Sequence, residues 1–209
     1  MKQNGIIERF DLSNESICKK LIKLCSFYGE KVFHTSPSGI DSICSFYGGI
    51  TFFKSFLSYK NLSNAEINKD FHSSFKIFLI DTTIRRNTKS FIEIVSKFKN
   101  NHKFIFENAI NSISYISNRL SLMLQQNDSN QNVSVDEIEL LINTNQKFLE
   151  IIQVSNFEIE IIVLAFKRVN IPVKITGAGG GGFLLALVNF EKEKDFLNVA
   201  DSNVKFFIK

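Results

Sequence analysis

The sequence predicts an α+β fold in which helices cover an antiparallel sheet. Short apolar runs, typical of strands, are followed by longer segments whose apolar residues recur every three or four positions. Two strand-like runs near the carboxyl end flank a glycine-rich segment, which indicates a hairpin. Apolar residues make up 44% of the 209 residues and charged residues 22%, so the chain can bury a core.

The amino-terminal third contains two expected helices and one strand. Ser13 can cap the first helix. The apolar residues of that helix fall at helical spacing at Ile17, Leu21, Leu24, Cys25 and Tyr28. Turn residues at 35–39 end this helix, and Gly48-Gly49 stops a second one that starts at Ile40. A strand over 50–53 and a polar connection over 61–69 are expected next.

The remaining elements begin with a buried strand over 75–80 and two helices over 88–98 and 104–124. Ser134 with Glu137, and Ser155 with Glu158, have the spacing of capping boxes, so an antiparallel helix pair is expected there. Pro172 ends the second helix of the pair. The final expected elements are strands over 173–176 and 183–188, a helix over 192–199 and a strand over 204–208.

Composition excludes several classes of function. The net charge is +4 and the lysines are scattered, so no basic stripe for nucleic acid is present. No apolar run reaches the roughly 18 residues of a membrane span, and the first residues lack the apolar core of a signal peptide. Three cysteines without CxxC spacing predict reduced thiols and a cytoplasmic protein, and the three histidines are too far apart for a local metal motif.

Five of the ten glycines fall within residues 174–182, which read Lys-Ile-Thr-Gly-Ala-Gly-Gly-Gly-Gly. Such a cluster needs a geometric reason, because glycine loses more backbone entropy on folding than other residues. One reason is a tight structural hairpin. The other is close approach of a ligand, for which phosphate is the usual candidate. The residues alone leave both open, and both can hold together.

Three segments in order resemble the mevalonate kinases, of the superfamily that also holds galactokinase, homoserine kinase and phosphomevalonate kinase. They are Pro37-Ser38-Gly39-Ile40-Asp41 with its preceding helix, Asp81-Thr82-Thr83-Ile84-Arg85-Arg86-Asn87-Thr88, and Thr176-Gly177-Ala178-Gly179-Gly180-Gly181-Gly182. Arg86-Asn87-Thr88 and Asn145-Gln146 favour mevalonate kinase within the superfamily. The similarity runs from about residue 12 to residue 188.

The resemblance implies a catalytic base and a metal ligand in the first segment. Asp41 matches the aspartate that accepts the proton of the substrate hydroxyl, and Ser38 and Gly39 shape its loop and bind substrate. Glu30 matches the glutamate that helps to hold Mg²⁺. Without the resemblance, Asp41 could simply cap a turn and Glu30 could be a solvated helix residue. Thr35 stands where the family usually has glycine.

The same resemblance implies that Arg86 and Thr88 bind the substrate, with a guanidinium suited to a carboxylate or a phosphate oxygen. Arg85 stands where the family more often has proline, so either arginine can face the substrate. Residues Gly177, Ala178, Gly179 and Gly180 correspond to the loop beside the nucleotide phosphates, and the cofactors implied are ATP and Mg²⁺.

The resemblance also divides the chain. Residues 1–72 correspond to the remainder of an amino-terminal nucleotide- and substrate-binding domain, and residues 73–209 to a carboxy-terminal α+β domain. The family's Gly-Leu-Gly-Ser-Ser-type phosphate loop and its early lysine do not occur in this sequence. Two hypotheses follow. The chain is a carboxy-terminal portion of an ATP:mevalonate phosphotransferase, as a homodimer or beside a missing amino-terminal half, or it is a non-catalytic remnant that kept the loops.

Overall fold

The structure of the protein is a computed structural model that describes residues 15–33, 38–55, 58–62, 71, 74–85, 88–125 and 134–203. Residue contacts divide the chain into two units, Met1–Ile67 and Asn68–Lys209. The division expected after residue 72 and the domain roles assigned to the two parts stay predictions. In the described part of the chain, no helix has the length and apolar character needed to cross a membrane.

The first unit consists of two helices and a β-hairpin. Their bounds are α1 (Glu15–Phe33), α2 (Ile40–Tyr47), β1 (Ile50–Ser55) and β2 (Ser58–Leu62). Strands β1 and β2 are antiparallel, with Ile50 opposite Leu62. Helix α2 ends at Gly48, whose φ of 64° suits glycine.

The polar connection expected over 61–69 is wrong at its start, because residues 61 and 62 belong to β2. Side chains alternate between more exposed and more buried along this strand, and Leu62 is buried. The outward positions are polar, so the segment contains no apolar run that would have indicated a strand.

The second unit is built on a three-stranded antiparallel sheet of β3 (Phe75–Asp81), β4 (Val173–Ile175) and β5 (Phe183–Asn189). The strand order is β3-β5-β4, with Phe78 opposite Ala186 and Ile175 opposite Leu184. The predicted α+β class with an antiparallel sheet is confirmed. The strand expected over 204–208 lies outside the described residues.

Five helices and a short 3-10 turn at Phe190–Lys192 accompany this sheet within the described residues. The helices are α3 (Thr88–Asn101), α4 (Lys103–Gln125), α5 (Val135–Ile151), α6 (Phe157–Lys167) and α7 (Glu193–Asn203). One sheet face packs against α6 and α7, where the ring of Phe196 stacks between those of Phe78 and Phe166. Helix α5 covers the edge of β4, where the Ile175 N–H donates to Gln146 Oε1 over 2.9 Å.

The two expected helix caps have different outcomes. Ser134 caps α5, since its Oγ accepts from the Glu137 N–H over 3.2 Å. The cap expected at Ser155 is wrong, because Asn156 Oδ1 accepts from the Ile159 N–H over 2.9 Å. Asn and Ser are equally good caps, so the sequence does not say which of two adjacent residues caps the helix. The path of the backbone selects Asn156 here. Ser155 Oγ is buried without a hydrogen-bond partner.

Candidate active site

A depression of about 220 Å³ in the first unit brings together the two predicted acidic residues. Its lining residues are Ser26, Glu30, Asp41, Ser42 and Ser45. Helix α1 supplies the first two, four residues apart and so on one face. Helix α2 supplies the other three from its first two turns. The predicted base and the predicted metal ligand therefore share one surface.

The loop before α2 determines where Asp41 lies. Gly39 has a φ of 81°, in the left-handed region that favours glycine, and its carbonyl accepts the first helical hydrogen bond from the Ile43 N–H over 3.1 Å. The Ile40 N–H donates to Ser38 Oγ over 3.3 Å. Asp41 consequently stands in the first turn, where the helix dipole favours a carboxylate, and its side chain is exposed.

Ser42 is a residue that the sequence did not suggest. Its side chain is buried, and its Oγ donates to Glu30 Oε2 over 3.1 Å. This bond joins α1 to α2 and constrains the Glu30 carboxylate, which is half-buried. Because the two residues are twelve positions apart on different helices, no local pattern connects them. One hint of a role for Ser42 was present in the sequence, which is that it directly follows Asp41, the predicted base.

The glycine-rich loop joins β4 to β5 and divides into an exposed half and a buried half. Gly177 and Ala178 are exposed, whereas Gly179, Gly180 and Gly181 are buried. A Cβ placed on Gly180 would overlap the Phe91 ring, and one on Gly179 would overlap the Val154 carbonyl. The buried half therefore needs glycine for packing inside this unit. This supports the first of the two reasons considered for the glycine cluster, a tight structural hairpin.

Hydrogen bonds fasten the same loop to three neighbouring segments. The Gly180 N–H donates to the Val154 carbonyl over 2.9 Å, and the Gly182 N–H donates to the Ile84 carbonyl over 3.1 Å. Asn156 Nδ2 donates to the Gly180 carbonyl over 3.2 Å, so the cap of α6 also holds the loop. The exposed pair Gly177 and Ala178 takes no part in these hydrogen bonds among the described contacts.

The segment after β3 carries the predicted substrate residues. Thr82 is buried, and Thr83 has a φ of 56°, which is unusual for a β-branched residue. Arg85 is exposed. Arg86 lies outside the described residues, and although Thr88 begins α3, its side chain is also outside them.

Lys174 adjoins the glycine-rich loop and was not predicted to have a role. Its Nζ donates to the Ile175 carbonyl over 2.8 Å, and burial lowers the pKa of the ammonium group. In the described part of the chain, no group of three or more His, Cys, Asp or Glu side chains could hold a metal ion.

Comparison with protein-family models gives no match. Among curated relatives, mevalonate kinase of Arabidopsis thaliana is 31% identical over 170 residues, which are 81% of this chain and 43% of the relative. Mevalonate kinase of Schizosaccharomyces pombe is 32% identical over 178 residues, which are 84% of this chain and 43% of the relative. The chain therefore spans less than half the length of these relatives.

Solved structures show the same fold. A Leishmania major mevalonate kinase in complex with R-mevalonate has a TM-score of 0.72 and 22% identity, over 89% of this chain and 55% of that one. A Methanococcus jannaschii mevalonate kinase has a TM-score of 0.70 and 23% identity, over 90% of this chain and 55% of that one. This chain is a relative of the mevalonate kinases and corresponds to the carboxy-terminal portion of their sequence.

Proposed function

We propose that this protein contributes to the ATP-dependent phosphorylation of the primary hydroxyl of mevalonate, giving 5-phosphomevalonate for isoprenoid synthesis in the cytoplasm. The observation that carries the proposal is that Glu30 and Asp41, both matched to the family's reaction, line one depression. The curated relatives are mevalonate kinases, and the L. major neighbour was solved with R-mevalonate, which supports the choice of substrate.

Asp41 is proposed as the general base. Its carboxylate would accept the hydroxyl proton as that oxygen forms a bond to the γ-phosphorus and the bond from phosphorus to the departing ADP oxygen breaks. An exposed carboxylate in the first turn of a short helix suits this role, because it can reach a substrate while its backbone is constrained by Gly39 and Ser38. These two loop residues are proposed to contact the substrate.

Glu30 is proposed to hold Mg²⁺. The residues present fit the ion, since Mg²⁺ commonly takes one or two protein carboxylates and completes its octahedron with phosphate and water. When bound, the ion would neutralise charge on the nucleotide phosphates. Ser42 constrains Glu30 through one carboxylate oxygen, Oε2, and donates no bond to Oε1 among the described contacts.

Residues of the second unit are also proposed to bind nucleotide and substrate. Gly177 and Ala178 expose backbone that can approach phosphate oxygens, whereas Gly179 and Gly180 would act by holding the loop in shape. Arg86 or Arg85 would bind the mevalonate carboxylate or a phosphate oxygen, and Thr88 would hydrogen-bond near the attacking hydroxyl.

The test fuses the chain behind the amino-terminal half of a mevalonate kinase relative and follows ADP release with mevalonate and MgATP. Asp41→Asn keeps the side-chain shape but removes the proton acceptor. We expect it to lower kcat by about 10² or more while KM changes little. Asp136→Asn makes the same change at an exposed carboxylate in the first turn of α5, outside the depression, and as the matched control it should leave both constants nearly unchanged. The 209-residue chain alone is expected to bind nucleotide weakly and to turn over poorly.

A loss of less than tenfold in Asp41→Asn would place the base elsewhere. Glu30→Gln is expected instead to raise the Mg²⁺ concentration needed for half-maximal rate, which separates a metal ligand from a base. If the fused protein is folded by circular dichroism, binds MgATP and mevalonate, and still gives no turnover, the alternative of a non-catalytic binding domain is the correct one.

A further inference from the structure

A cavity of about 180 Å³, here called the α5–α6 cavity, lies between helices α5 and α6 of the second unit. Its volume is well above the roughly 30 Å³ share of one water molecule in the liquid and below the roughly 300 Å³ of sites for drug-sized ligands. The cavity therefore suits a small ligand. The residues that line it are Asn143, Thr144, Gln146, Lys147, Val163 and Lys167.

Hydrogen-bond donors dominate the lining of this cavity. Its two charged residues, Lys147 on α5 and Lys167 on α6, are lysines, and an ammonium group only donates. None of the six described lining residues is acidic. The side chains of Asn143, Thr144 and Lys167 make no hydrogen bond or ion pair to other described residues. A ligand that pairs with these groups has to supply acceptors.

Gln146 is the most deeply buried residue of the lining, with an exposed fraction of 1%. Its amide orientation is determined, because the Ile175 N–H can only donate and therefore faces Oε1, over 2.9 Å. Nε2 thus carries two hydrogens, and Glu150 Oε1, at 3.2 Å, is the one acceptor described for them. The second hydrogen has no described acceptor. Because an unpaired buried donor is costly, a ligand oxygen in the cavity would be stabilised there.

The charge of the cavity is positive but small. Glu150 Oε2 accepts from Lys147 Nζ over 2.6 Å, so the charge of this lysine is offset. Lys167 has no acidic partner among the described residues, and it leaves one positive charge uncompensated. Because both lysines are exposed, salt screens their attraction for an anion. Binding should therefore be weak and should fall as the ionic strength rises.

We infer that the α5–α6 cavity binds a small phosphate-type oxyanion, either inorganic phosphate or a short phosphate monoester. Donors reach the cavity from two helices and from the buried amide of Gln146, and a tetrahedral anion offers acceptor oxygens in several directions. Ammonium groups bind phosphate as point charges. Val163 adds an apolar wall that a short carbon substituent can contact. The inference goes beyond the proposed phosphoryl transfer and does not rest on it.

Titration of the 209-residue chain with inorganic phosphate tests the inference, followed by NMR at the Val163 methyl groups and the Gln146 side-chain amide. At low ionic strength we expect a dissociation constant of about 1 mM, while sodium chloride at matched ionic strength should not reproduce the shifts. Lys167→Gln removes the uncompensated charge and should weaken binding about three- to tenfold. Asn143→Ala removes neutral donors and should weaken it about two- to tenfold.

Lys194→Gln is the matched control, because Lys194 is an exposed lysine of α7 that does not line the cavity. It should leave the dissociation constant unchanged, and circular dichroism should show that all variants fold. Methyl phosphate distinguishes the two sources of the anion. Binding tighter than that of inorganic phosphate assigns the cavity to a monoester, and weaker binding assigns it to inorganic phosphate.

Three results would overturn the inference. The first is the absence of saturable shifts at Val163 up to about 50 mM phosphate, or shifts at Gly177 in place of Val163, which would put the anion at the glycine-rich loop. The second is a Lys167→Gln variant that binds phosphate as tightly as the original chain. The third is acetate that binds as tightly as phosphate, since a carboxylate would then suffice.

Discussion

Thr82 is joined to Gly182 by two hydrogen bonds to a single carbonyl oxygen. The Thr82 N–H donates over 2.9 Å and its hydroxyl Oγ1 donates over 2.7 Å. The same hydroxyl accepts from the Ile84 N–H over 3.2 Å, and the Gly182 N–H returns a bond to the Ile84 carbonyl over 3.1 Å. The segment that precedes the predicted substrate residues is thus fastened to the end of the glycine-rich loop, so the two should move together.

Replacing Thr82 with valine tests this connection. Valine has nearly the same shape, but it leaves the Ile84 N–H without its acceptor and removes one donor from Gly182. We expect the free energy of unfolding to fall by about 1–3 kcal/mol, measured by urea denaturation. Thr144→Val is the control, because Thr144 is a partly buried threonine whose side chain has no hydrogen bond among the described residues. Equal midpoints for the two variants would contradict the connection.

Asn156, whose side chain caps α6, can be compared directly with the neighbouring Ser155, whose side chain does not. Asn156 caps α6 and also donates to the Gly180 carbonyl, so Asn156→Ala should cost about 1–2 kcal/mol of stability. Ser155 Oγ is buried without a partner, so Ser155→Ala removes only an unsatisfied group and should be neutral or stabilising. Thermal or chemical denaturation of both variants measures the difference. A larger loss of stability for Ser155→Ala than for Asn156→Ala would show that Ser155 caps the helix, as the sequence suggested.

Local sequence patterns were enough to predict most elements of this fold. Particular residues show where the patterns failed. The strand before Asp81 and the cap at Ser134 follow from apolar runs and from one favourable side chain at a helix start. Asn156 was missed because two adjacent residues are both good caps, and the choice depends on the backbone path. Strand β2 was missed because its outward positions are polar. Such features are settled by tertiary packing rather than by local preference.

The candidate site likewise contains residues that the sequence identified and contacts that it could not. Glu30 and Asp41 were identified from motifs, and the structure adds that they share one depression. The Ser42 hydrogen bond to Glu30 and the burial of Gly180 against Phe91 link residues far apart in the chain. Spacing cannot report such contacts. The chemical roles of Glu30 and Asp41 stay predictions.

Gly180 and Gly48 separate steric fit from backbone strain. Both have a positive φ, 72° and 64°, so alanine is strained at both positions, and Gly48 also has a ψ of −165°, in a region essentially restricted to glycine. A Cβ on Gly180 meets the Phe91 ring, whereas a Cβ on Gly48 meets nothing within 4 Å. Gly180→Ala should therefore cost about 1–3 kcal/mol less in a Phe91→Ala background than in the original protein in urea denaturation, whereas the cost of Gly48→Ala should be the same in both backgrounds. Equal costs of Gly180→Ala in the two backgrounds would mean that the Phe91 ring moves aside freely.

Glu137 should make the stability of the protein depend on pH in the acid range. Arg119 Nε donates to Glu137 Oε1 over 2.6 Å and its second nitrogen donates to Oε2 over 3.0 Å, a two-point pair between α4 and α5. The hydrogen bond from Arg119 lowers the pKa of the Glu137 carboxyl below its ordinary value of 4.5. A carboxyl whose pKa is lowered by folding stabilises the folded state above its ordinary pKa, and this contribution is lost as pH falls through the folded value.

Glu137→Gln removes the charge while it keeps the size of the side chain, so it should unfold at lower denaturant concentration than the original protein at pH 7. The difference should shrink as the pH falls below about 4.5, where Glu137 itself becomes protonated. Glu158→Gln is the matched control, because Glu158 also lies in the first turn of a helix but has no ion pair among the described residues. It should show the smaller difference at pH 7. A Glu137→Gln effect that is constant from pH 7 to pH 3 would show that the pair contributes no charge-dependent stability, as in many exposed ion pairs.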